Sequence, residues 1–171
     1  MAFVSQAPIR RNSHLVPAAL ALGLAGLLSP VHLSLFGQSW PLTWLAFAVM
    51  ALWPRQASPV PSALLLFAGG LWVDWATLGA PGQWALVFAL TYAVVRPDQS
   101  EPMRGLGTSV WRVVMALLVG VPVFVLSGWF VYGAWPDGLA LGRGLLVLLV
   151  TLPLIAVLRD VFAGRLTRED H

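Results

Sequence analysis

The sequence predicts an all-α membrane protein: a bundle of six transmembrane helices with both termini in the cytoplasm. Three observations predict this fold class. Hydrophobic residues make up 58% of the 171 residues and charged residues only 10%, whereas soluble domains have about 25% charged residues. Six apolar segments follow one another along the chain. The arginines cluster in alternate connections between these segments.

The apolar segments set the predicted element boundaries. The helices are expected at 15–36, 41–53, 62–78, 83–95, 111–132 and 139–158. The chain thus divides into a cytoplasmic segment 1–14, a six-helix domain 15–158 and a cytoplasmic tail 159–171. A basic start before an apolar run is also typical of a signal peptide. This run is long and further hydrophobic segments follow it, so a retained first helix is expected.

Prolines mark both ends of the second segment. Pro41 is predicted to open this helix, because proline is tolerated in a first helical turn, where its missing N–H has no partner to lose. Pro54 and Arg55 are predicted to end it. The second and fourth segments are shorter than the about 20 residues that a spanning helix needs, so they depend on flanking residues or on shielding by neighbouring helices.

The arginines orient the bundle. The cytoplasmic regions in this orientation are 1–14, 54–61, 96–112 and 159–171, and they contain nine of the ten arginines. The three outer turns contain none. Membrane proteins carry such an excess of basic residues on the cytoplasmic side. Topology therefore explains the sequence pI of about 10.6, and no nucleic-acid partner is predicted.

Apart from Arg112 at the mouth of the fifth segment, two charged residues fall inside apolar segments. Asp74 lies near the end of the third segment, and Arg143 lies four residues into the sixth. Intramembrane charges usually face protein or a cavity, so these residues are candidates for a polar pair or for a partner contact. One hypothesis is that Asp74 and Arg143 pair with each other. The alternatives are that Arg143 extends to the outer headgroups while Asp74 meets interfacial water, or that either has another partner.

Small residues mark candidate helix contacts. Gly69, Gly70, Gly79 and Gly142 are predicted helix-packing positions, because glycine lets two helices approach closely. Gly142 also lies four residues after Gly138, which is the small-residue spacing common at membrane helix contacts. The first helix is rich in alanine and glycine, including Gly23 and Gly26. Its small-residue faces could bind other membrane proteins or pack within the bundle.

No catalytic, metal or cofactor site is predicted. The histidines, His14, His32 and His171, lack a second ligand at metal-binding spacing. A membrane aspartyl peptidase needs two convergent acids, and Asp137 lies in a Pro-Asp-Gly sequence typical of an ordinary turn. The chain contains no cysteine, which excludes disulfides and thiolate chemistry.

The stretch from Pro41 through Ala93 resembles the rod-shape-determining protein MreD family of bacteria. The residues that carry the resemblance are Pro41, Pro54, Arg55, Gly70, Asp74, Leu78 and Gly79. The chain length, the six-helix layout and the short basic tail are also similar to the family. In this chain only three residues separate Asp74 from the Leu78-Gly79 pair, which is fewer than is usual in the family.

The resemblance implies a non-enzymatic inner-membrane component of the cell-elongation machinery. Members of this family associate with the membrane-anchored scaffold protein MreC. They act beside the actin-like MreB filament, the RodA glycosyltransferase and a penicillin-binding transpeptidase. The expected role is to hold the partner's membrane anchor and so to bias the state of the synthases.

Two other readings remain open. The substrate-binding subunits of energy-coupling-factor vitamin transporters are also small six-helix proteins, and such a site needs several convergent polar groups. In this chain Asp74, Thr77, Gln83 and Arg143 are the candidates for those groups. A polytopic hydrolase would need a second essential acid beside Asp74.

Overall fold

The computed structural model describes residues 15–35, 38–54, 57–95 and 106–166, with the backbone alone for residue 35 and for 106–110 and 153–166. Arg55, the predicted N-terminal cytoplasmic segment, the loop 96–105 and the end of the predicted tail lie outside the described residues.

The described residues form six helices and one two-stranded hairpin. In chain order they are α1 (Leu15–Leu28), β1 (His32–Leu35), β2 (Gln38–Pro41), α2 (Trp44–Ala51), α3 (Pro59–Thr77), α4 (Gln83–Val95), α5 (Leu106–Tyr132) and α6 (Gly138–Leu166). The predicted helical character is confirmed, and the boundaries of α4 are as predicted. The hairpin is an element that the all-α prediction missed.

Two of these helices are long and apolar enough to cross a membrane. They are Pro59–Thr77 and the Trp111–Tyr132 part of α5, judged by length and composition. The other apolar stretches in the described residues are shorter. At about 1.5 Å per residue, the eight residues of α2 extend only about 12 Å, well below a hydrocarbon core of about 30 Å.

The hairpin corrects the prediction that Pro41 opens the second helix. Pro41 is the last residue of β2, and it pairs with His32 of β1. The reason lies upstream: Pro30 cannot continue α1, because proline lacks the N–H and clashes with the preceding turn. The next residues then alternate polar and apolar side chains, a strand-like period of two. Helix α2 begins only at Trp44.

Three helices, α3, α5 and α6, are longer than predicted. Helix α3 begins at Pro59, because proline is pre-organised for the first helical position. Helix α5 begins at Leu106, and α6 continues to Leu166, past the predicted start of the tail.

The packing order places α4 between two long helices. Helix α4 packs against α3 and α5, and α3 also packs against α1. Helix α2 packs mainly against α1 and α6, with smaller contacts to α4 and α5, and β2 packs against α6. In the described part of the chain, α3 and α6 make at most marginal contact. Helix α2 is buried on most of its surface, which explains how so short a helix is held.

Two adjacent glycines of α3 face two different helices. A Cβ added at Gly69 would meet the side chain of Leu22 in α1, and one added at Gly70 would meet the backbone of Trp84 and Ala85 in α4. Gly70 is therefore the point where two helix backbones come into direct contact, as small residues allow.

The other two predicted packing glycines have different surroundings. Gly79 lies just after the end of α3, where its N–H bonds the Asp74 carbonyl, so it ends a helix rather than joining two. Gly142 has no atom within 4 Å of an added Cβ, and its face of α6 is open within the described chain. The same is true of Gly138.

Gly70→Ala and Gly142→Ala form a matched pair that tests this contact. We expect Gly70→Ala to lower the free energy of unfolding by about 2–3 kcal/mol, because its methyl group would force two backbones apart. Gly142→Ala should raise it by about 0.5–1 kcal/mol, since alanine is the better helix former and the site is open. Unfolding in detergent micelles measures both; equal effects would contradict the assigned contact.

Candidate functional site

Asp74 lies in the last turn of α3 and is almost fully buried. Its carboxylate accepts three backbone hydrogen bonds from the start of α4. One oxygen, Oδ1, accepts from the Trp84 N–H at 2.9 Å. The other, Oδ2, accepts from Gly82 at 3.0 Å and from Ala85 at 3.4 Å. Asp74 is thus an N-cap for α4 supplied by a different helix.

The local sequence explains why α4 needs this cap. A helix begins with backbone N–H groups that have no partner within the helix, and a Ser, Thr, Asp or Asn at the N-cap usually accepts from one of them. Here that position is Gly82, which has no side chain and has φ +89°. The Gln83 N–H bonds the Ala80 carbonyl, and Asp74 takes the next two donors. Sequence reasoning did not single out Gly82 or Trp84; the available signal was the missing cap residue before Gln83.

The arrangement also offsets the cost of burying a charge. The N-terminus of a helix carries a partial positive charge of about half a unit, which favours an anion there. Hydrogen bonds to an ionised acceptor are stronger than neutral ones. Asp74 therefore meets its counter-charge in backbone dipoles.

The turn between α3 and α4 keeps Asp74 in place. The backbone carbonyl of Asp74 accepts from the Gly79 N–H at 3.0 Å, which closes the C-terminal turn of α3. This closure puts Leu78 in the left-handed region with φ 51°. A bulky residue rarely adopts that conformation, and the Leu78 side chain is 91% exposed.

An aromatic cluster packs beneath the capped end of α4. Trp84 contacts Phe124 of α5 with ring centroids 5.0 Å apart and Trp44 of α2 at 5.7 Å. Phe47 and Phe88 continue the cluster. The Asp74 hydrogen bond to the Trp84 N–H thus fixes the backbone of a residue on which three helices converge.

Gln83 adds a polar link at the same end of the fold. Its side-chain Nε2 donates to the Phe124 carbonyl of α5 at 3.1 Å. The first residues of α4 are therefore bonded to α3 through Asp74 and to α5 through Gln83. We call this end of the bundle, where α3 and α5 finish and α4 and α6 begin, the Gly82 end.

Arg143 is not the partner of Asp74. It is half-buried in α6, and no ion pair joins the two residues in the part of the chain that the structure describes. The packing order explains the difference from the hypothesised pair, because α4 lies beside α3 where α6 was expected. The carboxylate has instead the three backbone donors of α4.

Most of the polar groups considered for a vitamin site have partners within the chain. Thr77 donates its hydroxyl to the Val73 carbonyl at 2.8 Å, Gln83 bonds Phe124, and Asp74 caps α4. Arg143 is the remaining one of the four. Among the described residues, no group of three His, Cys, Asp or Glu side chains is arranged to hold a metal ion.

Comparison with known proteins does not identify the chain. No protein-family model, no curated protein and no solved structure matches it. The resemblance to the MreD family therefore rests on residues of this chain alone.

Substitution of Asp74 tests the cap. We expect Asp74→Ala to lower the free energy of unfolding by about 2–4 kcal/mol, because it leaves buried N–H groups without an acceptor. The free energy of unfolding of Asp74→Asn should lie between those of the wild type and Asp74→Ala, since its amide N–H₂ would face a backbone donor. Denaturant titration in micelles is the measurement.

Asp137 provides the matched control for that experiment. Its carboxylate accepts from the Leu139 N–H at 3.1 Å at the exposed start of α6. Asp137→Ala should cost about 0.5–1 kcal/mol, the usual loss for an exposed cap. A cost for Asp74→Ala no larger than this would show that the buried cap contributes nothing special.

Leu78→Gly should stabilise the protein by about 1 kcal/mol, because glycine adopts positive φ without the steric cost that leucine bears. The control is Leu71→Gly, at an exposed position inside α3, which should destabilise by about 1 kcal/mol. Thermal unfolding of both variants tests the strain assigned to Leu78. A destabilised Leu78→Gly protein would contradict it.

Proposed function

We propose that this chain is a non-enzymatic, multi-pass component of the bacterial inner membrane that acts in cell elongation. In this proposal it holds the membrane anchor of an MreC-type scaffold protein. It thereby supports the assembly that contains the MreB filament, the RodA glycosyltransferase and a penicillin-binding transpeptidase. In the proposed topology the chain crosses the bilayer six times, with both termini in the cytoplasm and the Gly82 end outside. The short α2 is shielded from lipid by the helices around it.

The observation that carries the proposal is the unit formed by Gly70, Asp74, Leu78 and Gly79. These four residues, which belong to the family motif, together join α3 to α4. Gly70 brings α3 against α4, Asp74 caps α4, and Leu78 with Gly79 closes the turn between them. They serve to hold two helices together, which is what an adaptor without a reactive centre requires. The acid that a hydrolase would use is engaged by backbone donors.

Exposed apolar surface supports the membrane part of the proposal. In the most apolar 18 residues of α3 only 28% are buried, and in those of α5 only 17%. A core helix of a soluble protein would be mostly covered, whereas lipid tails favour such a surface. Stacked tryptophan pairs lie at the Gly82 end, Trp72 with Trp75 and Trp129 with Trp135, and tryptophan is enriched at membrane–water interfaces.

Open glycines supply surfaces on which another helix could rest. Gly23 of α1 and Gly142 of α6 have no atom within 4 Å of an added Cβ. Small residues on an uncovered membrane helix permit close approach by a partner. By contrast, Gly26 of the same α1 is covered by Trp72, so its role is internal.

The test is depletion of the protein in its native bacterium, together with recovery of its partners. Rounding of rod-shaped cells, and copurification of a single-span periplasmic scaffold, are the expected results. Unchanged cell shape combined with a vitamin requirement would contradict the proposal and would favour the transporter reading. A reporter that placed the 96–110 loop outside the cell would contradict the topology.

Bulk added at the open glycines locates the docking surface. Gly23→Leu and Gly142→Leu should leave thermal stability unchanged or slightly higher, because neither site is packed and leucine is a better helix former. We expect at least one of them to reduce scaffold recovery about tenfold or more, the factor that about 1.4 kcal/mol represents. If both variants recover the scaffold as the wild type does, docking at these two faces is wrong.

A further inference from the structure

Arg143 is a half-buried cation near the Gly82 end of the bundle. It lies five residues after Gly138, the first residue of α6, which is about 7.5 Å along the helix axis. An arginine at this depth in a membrane helix can extend its long side chain toward the interface. An ionisable group inside a membrane helix is also costly unless it meets a partner, so the chemistry of that partner matters.

The described acids of the chain do not provide this partner. They are Asp74, which caps α4, and Asp137, which caps the start of α6. No described carboxylate forms an ion pair with Arg143. Along α6 the next acid in the sequence is Asp160, 17 residues further on, which is about 25 Å away.

The surroundings of Arg143 suit an anion at headgroup level. Trp135 precedes α6 by three residues, is exposed, and stacks on Trp129 at 5.9 Å. Tryptophans of this kind mark the interface between lipid tails and headgroups. The preceding residue, Gly142, has no atom within 4 Å of an added Cβ, so the described chain leaves this neighbouring strip of α6 uncovered.

We propose that Arg143 binds the phosphate of an outer-leaflet phospholipid. The planar guanidinium group matches a phosphate with two parallel N–H···O bonds, and one arginine balances the single negative charge of a phosphodiester. The bound lipid would hold α6 and the β-hairpin that packs on it. This inference rests on the membrane-spanning part of the proposed function but not on its role in cell elongation.

The experiment compares the full chain in two kinds of nanodisc. One contains phosphatidylglycerol, and the other contains an uncharged galactolipid without phosphate. We expect the wild-type Tm to be about 3–6 °C higher with phosphatidylglycerol, a shift of the size that a single strong contact makes in a chain of this length. Arg143→Gln should remove most of this difference. Arg143→Lys should retain part of it, since lysine keeps the charge but cannot form the two parallel hydrogen bonds of a guanidinium group.

Arg112→Gln is the control for loss of an arginine. Arg112 already has an interaction within the chain, and it lies far from the Gly82 end on α5. Its substitution should leave the difference between the two lipids in place. If Arg112→Gln removes the difference as fully as Arg143→Gln does, the effect is one of net charge and the assignment to Arg143 is wrong.

Three further outcomes would overturn the inference. If the Tm difference between the two lipids is the same in Arg143→Gln and in the wild type, Arg143 does not bind the phosphate. Stabilisation by inorganic phosphate in galactolipid nanodiscs, to the same extent, would identify a free anion instead of a lipid. If Arg143→Gln keeps the lipid dependence of the wild type but no longer recovers the scaffold, the partner of Arg143 is a carboxylate of the scaffold protein. A wild-type chain that alkaline carbonate extracts from membranes would instead refute the membrane-spanning proposal itself.

Discussion

The fold depends on a carboxylate of one helix serving as the cap of the next. Asp74 accepts hydrogen bonds from the N–H groups of Gly82, Trp84 and Ala85, and so it joins the start of α4 to the last turn of α3. A buried unpaired acid and a buried uncapped helix start would each be costly. The Asp74 carboxylate and the N–H groups at the start of α4 are each other's hydrogen-bond partners, so the acid does not require an arginine.

This constraint connects the Gly82 end of the bundle to the core. Helix α4 packs between α3 and α5, and its first turn carries both Gln83, which bonds α5, and Trp84, which packs into the aromatic cluster. Gly70 removes the side chain that would otherwise separate α3 from α4. The remaining surfaces of α1, α3 and α5 are left apolar and open, which is consistent with a protein whose surroundings are lipid and other helices.

Sequence reasoning predicted the helical class and the bounds of α4, and it expected Asp74 to face protein or a cavity, as its burial bears out. It missed the hairpin because four-residue strands leave little periodic signal, and the apolar run before Pro30 favoured a longer first helix. It also offered a pair of Asp74 with Arg143 as one hypothesis, since attraction between opposite charges is easy to recognise in a sequence. The actual donors are backbone N–H groups, which every residue except proline carries and no sequence pattern displays. Which helices are neighbours decides such contacts, and the sequence does not state this order.

Amide hydrogen exchange at the start of α4 tests the cap most directly. In the wild type, the Trp84 and Ala85 amides should exchange slowly, because Asp74 accepts both. In Asp74→Ala these amides should lose their protection, while Leu86, whose N–H bonds the Gly82 carbonyl, should keep most of its own. Equal protection of the Trp84 amide in the two proteins would contradict the account.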